Sequence, residues 1–450
     1  MNGKAENEWK IAVYQAYSVW DVVWPRGKSA GKRKKLLKSG AASRERDTVI
    51  EGHMDKKKTV VLVTVRNGQR LHKLWENFLN DPPKGYRYID LDGKPLRVAA
   101  AQAAPVPRSI MLLYQLKKRI PLLYCAYKEW DDRRISRQAD AQRPDLVYCL
   151  NGRLYHGDLP WVVDAENPLV FFGYTWGGLR VCRSRVRTLL SRKNCEAIIP
   201  YSQWGAVGLD GVFGKAIAKK MIVSKNIIGK MPARASARAA RKGITILFTG
   251  STNVGDSFYE RGGKEAIEAF LIFAKRHPDA QLIMRCHVPP AERERLKGRR
   301  VEIFDTPLDK DAFDALFARS DVYLLPGYIG YALSNLEAMS HGLPIVTSNI
   351  LENGENIKRG VNGFAIEAKH IDYPIRGIPR YYLTGDFTGL YREEYAKRIA
   401  AALETLAADP ALRKRMGEAN RRYVASEHTI GKKNADLSRI FARALRTRRG

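Results

Sequence analysis

The feature that most constrains this chain is a rhythm. Short runs rich in β-branched residues alternate with longer stretches of helical periodicity, as a parallel sheet with crossover helices requires. The rhythm occurs in two series. The first comprises TVVLVTV (59–65), YRYIDL (86–91), DLVYCL (145–150), WVVDA (161–165), EAIIPYS (196–202) and MIVSKNII (221–228). It is broken by GKMPARASARAARKG (229–243), whose Gly, Pro, small and basic residues read as a linker. The second comprises ITILFTG (244–250), AQLIMRC (280–286), VEIFDT (301–306), DVYLLP (321–326), PIVTS (344–348) and GFAI (363–366), with amphipathic stretches such as GKEAIEAFLIFAKRHP (263–278) between them.

These patterns predict an α/β chain of two doubly wound, Rossmann-like domains facing a central cleft, and 450 residues are enough for both. The expected boundaries are a basic extension over 1–58, a first domain over 59–228, the linker, a second domain over 244–428 and a basic helix over 429–450. The chain closes with two charged helical stretches, roughly 391–425 and 432–448. Ligands of such folds bind outside the carboxyl ends of the strands, so chemistry is sought there.

A formal net charge of +31 favours polyanionic partners, whether nucleic acid, anionic lipid or a phosphorylated ligand, without choosing among them. The charge gathers in RGKSAGKRKKLLK (26–38), LRVCRSRVRTLLSRK (179–193) and the terminal FARALRTRR. The second run and RSIMLLYQLKKRIPLLY (108–124) combine cations with apolar residues at helical spacing. They read either as ordinary domain helices or as a surface that docks on an anionic membrane. No apolar run approaches the roughly 20 residues that span a bilayer, and the amino terminus lacks the order of a secretory signal. The expectation is a cytoplasmic protein, with peripheral attachment at the inner membrane face as the alternative. Cys125, Cys149, Cys182, Cys195 and Cys286 are irregularly spaced and are expected to be free, mostly buried thiols.

In the second domain FTGSTNVGDSFYERGGKEAIEAF follows the first strand, with Gly250, Gly255, Gly262 and Gly263 loosening a loop that opens a helix. Such a loop can bring backbone N–H groups to phosphate, with Arg261 as the cation, although a plain strand-to-helix connection has the same pattern. In GYIGYALSNLEAMSHGLPIVTS (327–348), Gly327 and Gly330 permit a tight turn and a helix starts near Tyr331, so its free N–H groups form a second anion site. Glu337 lies beside the apolar stripe of that helix and needs a donor. It is either satisfied internally, by a backbone amide or a cation, or it accepts from ligand hydroxyls such as a ribose diol.

In the first domain Asp164 and Glu166 follow a strand and could orient or deprotonate an acceptor hydroxyl, or simply close an Asx-type turn. Asn151 and Gly152 have the same two readings. His287 and His341 have no partner at metal-ligand spacing, and no metal is expected.

The order FxGx(n)FxxRGGxxxIxAF, HPDAQLIM, VEIFDTPLDKDAFDALFARSDVYLLPG, GYALSNLEAMSHGLPIVTS and GENIKRGVNGFAI resembles the donor-binding half of the family 4 retaining glycosyltransferases of the GT-B fold. LAADPALRKRMGEANRRYVASEHT is similar to that family's closing helices, so the resemblance spans roughly 244–430. It implies a GT-B protein that transfers a sugar with retention from a nucleoside diphosphate sugar to a glycan or lipid-linked acceptor. Cofactors are not implied, and nucleic acid becomes the disfavoured partner. By motif position it implies that Glu337 holds the nucleotide ribose and that Arg261 neutralises the leaving diphosphate. The backbone of Gly330, Tyr331, Ala332, Leu333 and Ser334, with Gly250 and Gly262, would complete the donor site. Glu355 falls where the family often carries a Glu, without a firm role.

The pattern fails at one place. Eight residues before Glu337, where the family has a Glu near the transferred sugar, this chain has Ile329. An isoleucine cannot hydrogen-bond a sugar hydroxyl. A substitute carboxylate, orientation by backbone groups, or lost activity remain open. A polyanion-binding protein on a GT-B scaffold and a sugar-nucleotide epimerase or hydrolase are the alternative functions.

Overall fold

The computed structural model describes residues 59–66, 73–98, 120–232, 243–250, 257–330, 332–384, 387 and 389–446. The extension over 1–58, the run at 26–38, most of 108–124, Gly255 and Tyr331 lie outside these residues.

The first series forms β1 (Thr59–Val63), β2 (Tyr86–Ile89), β3 (Leu146–Cys149), β4 (Trp161–Asp164) and β5 (Cys195–Ile199). They make one parallel sheet in the order β2-β1-β3-β4-β5, with Leu62 opposite both Ile89 and Val147. Strands covered on both faces read as unbroken apolar runs, which is why β3 and β4 are buried at every position. The crossovers include α1 (Lys73–Leu79), α2 (Pro121–Ala141), α3 (Trp176–Ser191), α4 (Gln203–Phe213) and the short α5 (Lys215–Ala218). Ser202, at the end of EAIIPYS, caps α4 by accepting from Gly205 N at 2.9 Å.

The expected strand at 221–228 does not form. Met221 makes one isolated bridge to Ile198, and the backbone follows the edge of β5 only as far as Ser224, with Ile222 N donating to Ile198 O at 2.9 Å and Ser224 N to Pro200 O at 3.0 Å. Beyond that point the carbonyl oxygens of Ser224 and Lys225 accept from Lys433 Nζ at 3.1 and 3.5 Å, a side chain from the far end of the chain.

The second series forms β6 (Thr245–Thr249), β7 (Gln281–Arg285), β8 (Val301–Ile303), β9 (Val322–Leu325), β10 (Ile345–Ser348) and β11 (Gly363–Ile366). This sheet is also parallel, in the order β11-β10-β9-β6-β7-β8. Its helices are α6 (Ser257–Glu260), α7 (Gly263–Ala274), α8 (Pro290–Arg295), α9 (Lys310–Ala318), α10 (Ala332–Ser340) and α11 (Arg380–Thr384). The charged stretch expected at 391–425 is two helices, α12 (Glu393–Ala408) and α13 (Pro410–Glu427). Pro410 has no N–H to donate into a continuous helix, and Asp409 instead caps the new one through Leu412 N at 2.7 Å.

Residues late in the chain complete the first domain. Ile378 and Leu383 lie in the core on one face of its sheet, and α14 (Ile430–Arg446) covers the other with Leu437, Ile440, Phe441 and Ala444. Phe441 meets the rings of Tyr86, Tyr88 and Tyr148 edge-on at 5.3–6.3 Å. Burying one such ring stabilises by roughly 1.5–3 kcal/mol, so the basic helix is a structural layer of the first domain.

Candidate functional site

In the second sheet β6 lies between β9 and β7. The connections from β6 and β9 therefore leave in opposite directions and open a crevice at their carboxyl ends. The chain after β6 crosses the end of β9 at very short range. Gly262 has φ 74°, and a Cβ there would stand 2.4 Å from Pro326 O. Only glycine fits that approach without strain. Arg261 is thereby set beside the crevice, with Nη1 3.5 Å from both Thr249 O and Ser334 Oγ.

A second guanidinium joins it. Arg285 ends β7 and donates to Gly250 O at 3.1 Å. Burial lowers its pKa, and the charge of Arg261 lowers it further. Two cations that raise each other's energy define a place where an anion would be stabilised. Sequence reasoning missed Arg285 because it resembles an ordinary polar residue at a strand end.

The first turn of α10 faces the same crevice. Ser334 contacts Arg261, while Leu333 packs against the core of the first domain. One turn on, Glu337 is partly buried and accepts a short hydrogen bond from Lys73 Nζ of α1, so the required donor comes from across the cleft. Glu355 spans the cleft in the other direction. Its carboxylate accepts from Gln203 N at 2.5 Å and from Trp204 N, at the amino terminus of α4.

Ile329 points away from this surface. It is 5% exposed, within the second hydrophobic core, and its carbonyl accepts from Asn353 Nδ2 at 2.9 Å. Asn353 belongs to a 3₁₀ turn, Leu351–Gly354, that follows β10. Ser348 ties the same turn down, since its Oγ accepts from Asn353 Nδ2 at 3.2 Å and donates to Gly327 O at 2.6 Å. The neighbouring Glu352 lies against Gly330, where an added Cβ would be 1.9 Å from its Oε1. Glu352 lines a pocket between the domains with Glu166, Asn167, Trp204, Gly377 and Tyr382. Enclosure by the pocket, and then the Glu166 charge, push the Glu352 carboxyl up to about 8. Glu166 touches solvent but is walled in on the same pocket, and desolvation followed by the Asp164 charge pushes it up to about 7.

Asp164, expected at the cleft surface, is fully buried. It accepts from Trp75 Nε1 at 2.9 Å, Tyr148 OH at 3.3 Å and Asn151 N at 2.5 Å, and from the Tyr201 hydroxyl. Its oxygens are enclosed, whereas Glu166 is exposed and lines the pocket. Asn151 and Gly152 form the turn held by Asp164, with φ 51° and 65°. His341 stacks on Phe317 at 4.6 Å and His287 is exposed. No group of residues that could hold a metal occurs among the described residues. The expectation of five free thiols is corrected: Cys125 on α2 and Cys182 on α3 are disulfide-bonded, with Cα atoms 6.3 Å apart, and the other three are free and buried.

Residues 243–378 match the family model of Glycosyl transferases group 1. The chain is 25% identical over 303 residues to glycogen synthase of Mycobacterium tuberculosis, covering 63% of this chain and 65% of that protein. It therefore spans slightly under two thirds of the length of that relative. Among solved structures, Anabaena HepE in complex with UDP and glucose aligns with a TM-score of 0.51 at 13% identity, over 86% of this chain and 99% of that one. Sucrose-phosphate synthase of Thermosynechococcus elongatus aligns with a TM-score of 0.51 at 14% identity, over 87% and 100%. At these identities the structural likeness concerns the fold. Arg261, Arg285, Glu337, Glu352 and Glu355 all lie inside the segment that matches this family model, and the chain has the two-domain fold of GT-B proteins.

Proposed function

We propose that the protein is a glycosyltransferase that uses a nucleoside diphosphate sugar and transfers the sugar with retention to a glycan or lipid-linked acceptor. One observation carries the reading: Arg261, Arg285, the start of α10 and Glu337 converge on one crevice at the switch point of the second sheet. The guanidinium groups and the helix end would stabilise the diphosphate as its bond to the sugar breaks, the charge neutralisation that a metal ion supplies elsewhere. Glu337, released from Lys73, would accept from the ribose hydroxyls. Glu166 would orient the acceptor hydroxyl and take its proton as the new glycosidic bond forms, and a carboxyl near 7 suits that role.

Calorimetry with UDP and GDP tests the donor site. The expected result is binding by the unmodified protein and a marked loss in Arg261→Ala and in Glu337→Ala. Unchanged affinity in both variants overturns the assignment. UDP-glucose is a first sugar nucleotide to try, because HepE has been solved with it.

The acceptor is proposed to reach the site from an anionic membrane surface. Ile120, Leu122, Leu123 and Trp130 at α2, with Trp176 and Val181 on α3, are exposed apolar side chains beside the exposed Arg180, Arg183, Arg185 and Arg187. Apolar anchors ringed by cations match the physics of interfacial docking. No helix among the described residues is long and apolar enough to cross a membrane, so attachment would be peripheral. Sedimentation with phosphatidylglycerol vesicles, and no sedimentation with phosphatidylcholine vesicles, is the expected result. Equal behaviour with both removes this part of the proposal.

A further inference from the structure

We propose that Glu352 is the carboxylate that contacts the donor sugar, taking over from a different element of the fold the task that Ile329 cannot perform. This inference rests on the donor-site reading above. A nucleoside diphosphate sugar is a linear ligand, and the crevice offers its parts in order. Glu337 is five residues into α10, about 7.5 Å along the axis from its start. That is a suitable separation between a ribose contact and a diphosphate at the helix end. Continuing past the helix start leads to Gly330, and the side chain lying on Gly330 is Glu352.

Three observations support the assignment. Ile329 is committed to the core, so its side chain is out of reach of any ligand. The turn that carries Glu352 is tied to the 327–330 loop by Asn353 and Ser348, so the carboxylate is held in register with the donor loop. Glu352 opens on the pocket between the domains opposite Glu166, and no side chain among the described residues donates to it. Among them its own backbone N–H is its one donor, and a shielded carboxyl with capacity left open is costly unless a ligand's donors fill it. Sugar hydroxyls are such donors. Gly330 is part of the arrangement, because any side chain there would occupy the position of the carboxylate.

The test compares nucleotides with sugar nucleotides. UDP, GDP, UDP-glucose and GDP-mannose are titrated into the unmodified protein, Glu352→Gln and Glu352→Ala, and donor hydrolysis is followed where transfer cannot be. The expected result is nucleotide affinity within twofold in both variants. Affinity for the bound sugar nucleotide, or its turnover, falls about tenfold, as loss of a hydrogen bond in an enclosed site implies. Glu352→Gln retains the shape and should fall between the other two. Sugar-nucleotide binding and turnover that match the unmodified protein in both variants overturn the proposal. Equal losses for nucleotide and sugar nucleotide also overturn it, because they mark a structural role. If no nucleotide binds, or if Arg261→Ala and Glu337→Ala bind nucleotide normally, the donor-site reading fails first.

Discussion

Asp164 ends β4 and Glu352 lies in the turn that follows β10, and both are shielded from bulk water, but their surroundings are opposite. Asp164 sits among Trp75, Tyr148, Tyr201 and the Asn151 backbone, all of which donate to it. Glu352 faces a pocket and another carboxylate, with no side-chain donor. A buried acceptor whose capacity is filled by its own chain is a structural post. An enclosed acceptor left open has capacity for a ligand. Position in the sequence does not distinguish the two.

The contrast can be broken most decisively through stability. Asp164→Ala would leave the buried Tyr148 and Tyr201 hydroxyls and the Asn151 N–H without their acceptor and is expected to destabilise the protein by about 3–5 kcal/mol. Glu352→Ala should not destabilise it, because it removes a carboxyl whose ionisation the fold opposes. Urea denaturation compares them, and equal losses would erase the distinction. The next largest effect is on affinity. Arg285→Ala should weaken UDP binding about tenfold, the cost of one charge-assisted contact, and calorimetry that finds no change would confine the anion site to Arg261.

A smaller effect concerns pH. The Glu352 carboxyl stands near 8 in the folded protein, above its ordinary value of 4.5. The folded state thus holds a proton that the unfolded chain has released, and stability declines as pH rises from about 4.5 through about 8. Glu352→Gln removes that decline. Relative to the unmodified protein the variant should gain stability between pH 5 and pH 8, and parallel melting curves would contradict this. The smallest effect comes from Lys73, whose side chain is 59% exposed. Because Lys73 competes with ribose for Glu337, Lys73→Ala should tighten nucleotide binding, by no more than about fivefold for an exposed pair. Weakened binding would make Lys73 a ligand contact.

Most of the architecture could be read directly. Eleven of the twelve expected strands formed, because period and length of apolar runs are local signals. The exception, 221–228, keeps only a partial edge along β5 through Ile222 N and Ser224 N, and beyond it the Ser224 and Lys225 carbonyls accept from Lys433, over two hundred residues away. Arg261, Ser334 and Glu337 could be singled out because glycine spacing and a helix start announce themselves in the chain. Arg285 and Lys73 were not, since each is an unremarkable cation until folding carries it to the crevice. The pairing of Cys125 with Cys182 was missed for the same reason, as two helices far apart in the chain had to pack first.

Residue order alone carried the two parallel sheets, the crevice at their carboxyl ends, and Arg261 with the helix end that suit a diphosphate, because each follows from periodicity or from a turn a few residues long. It also exposed Ile329 as a break in the donor motif. Which carboxylate faces that gap depended on contacts between β9, β10 and the first domain. Glu166, Gly330 and Glu352 come together through packing, and neither burial nor the number of donors around an acid exists before the chain has folded.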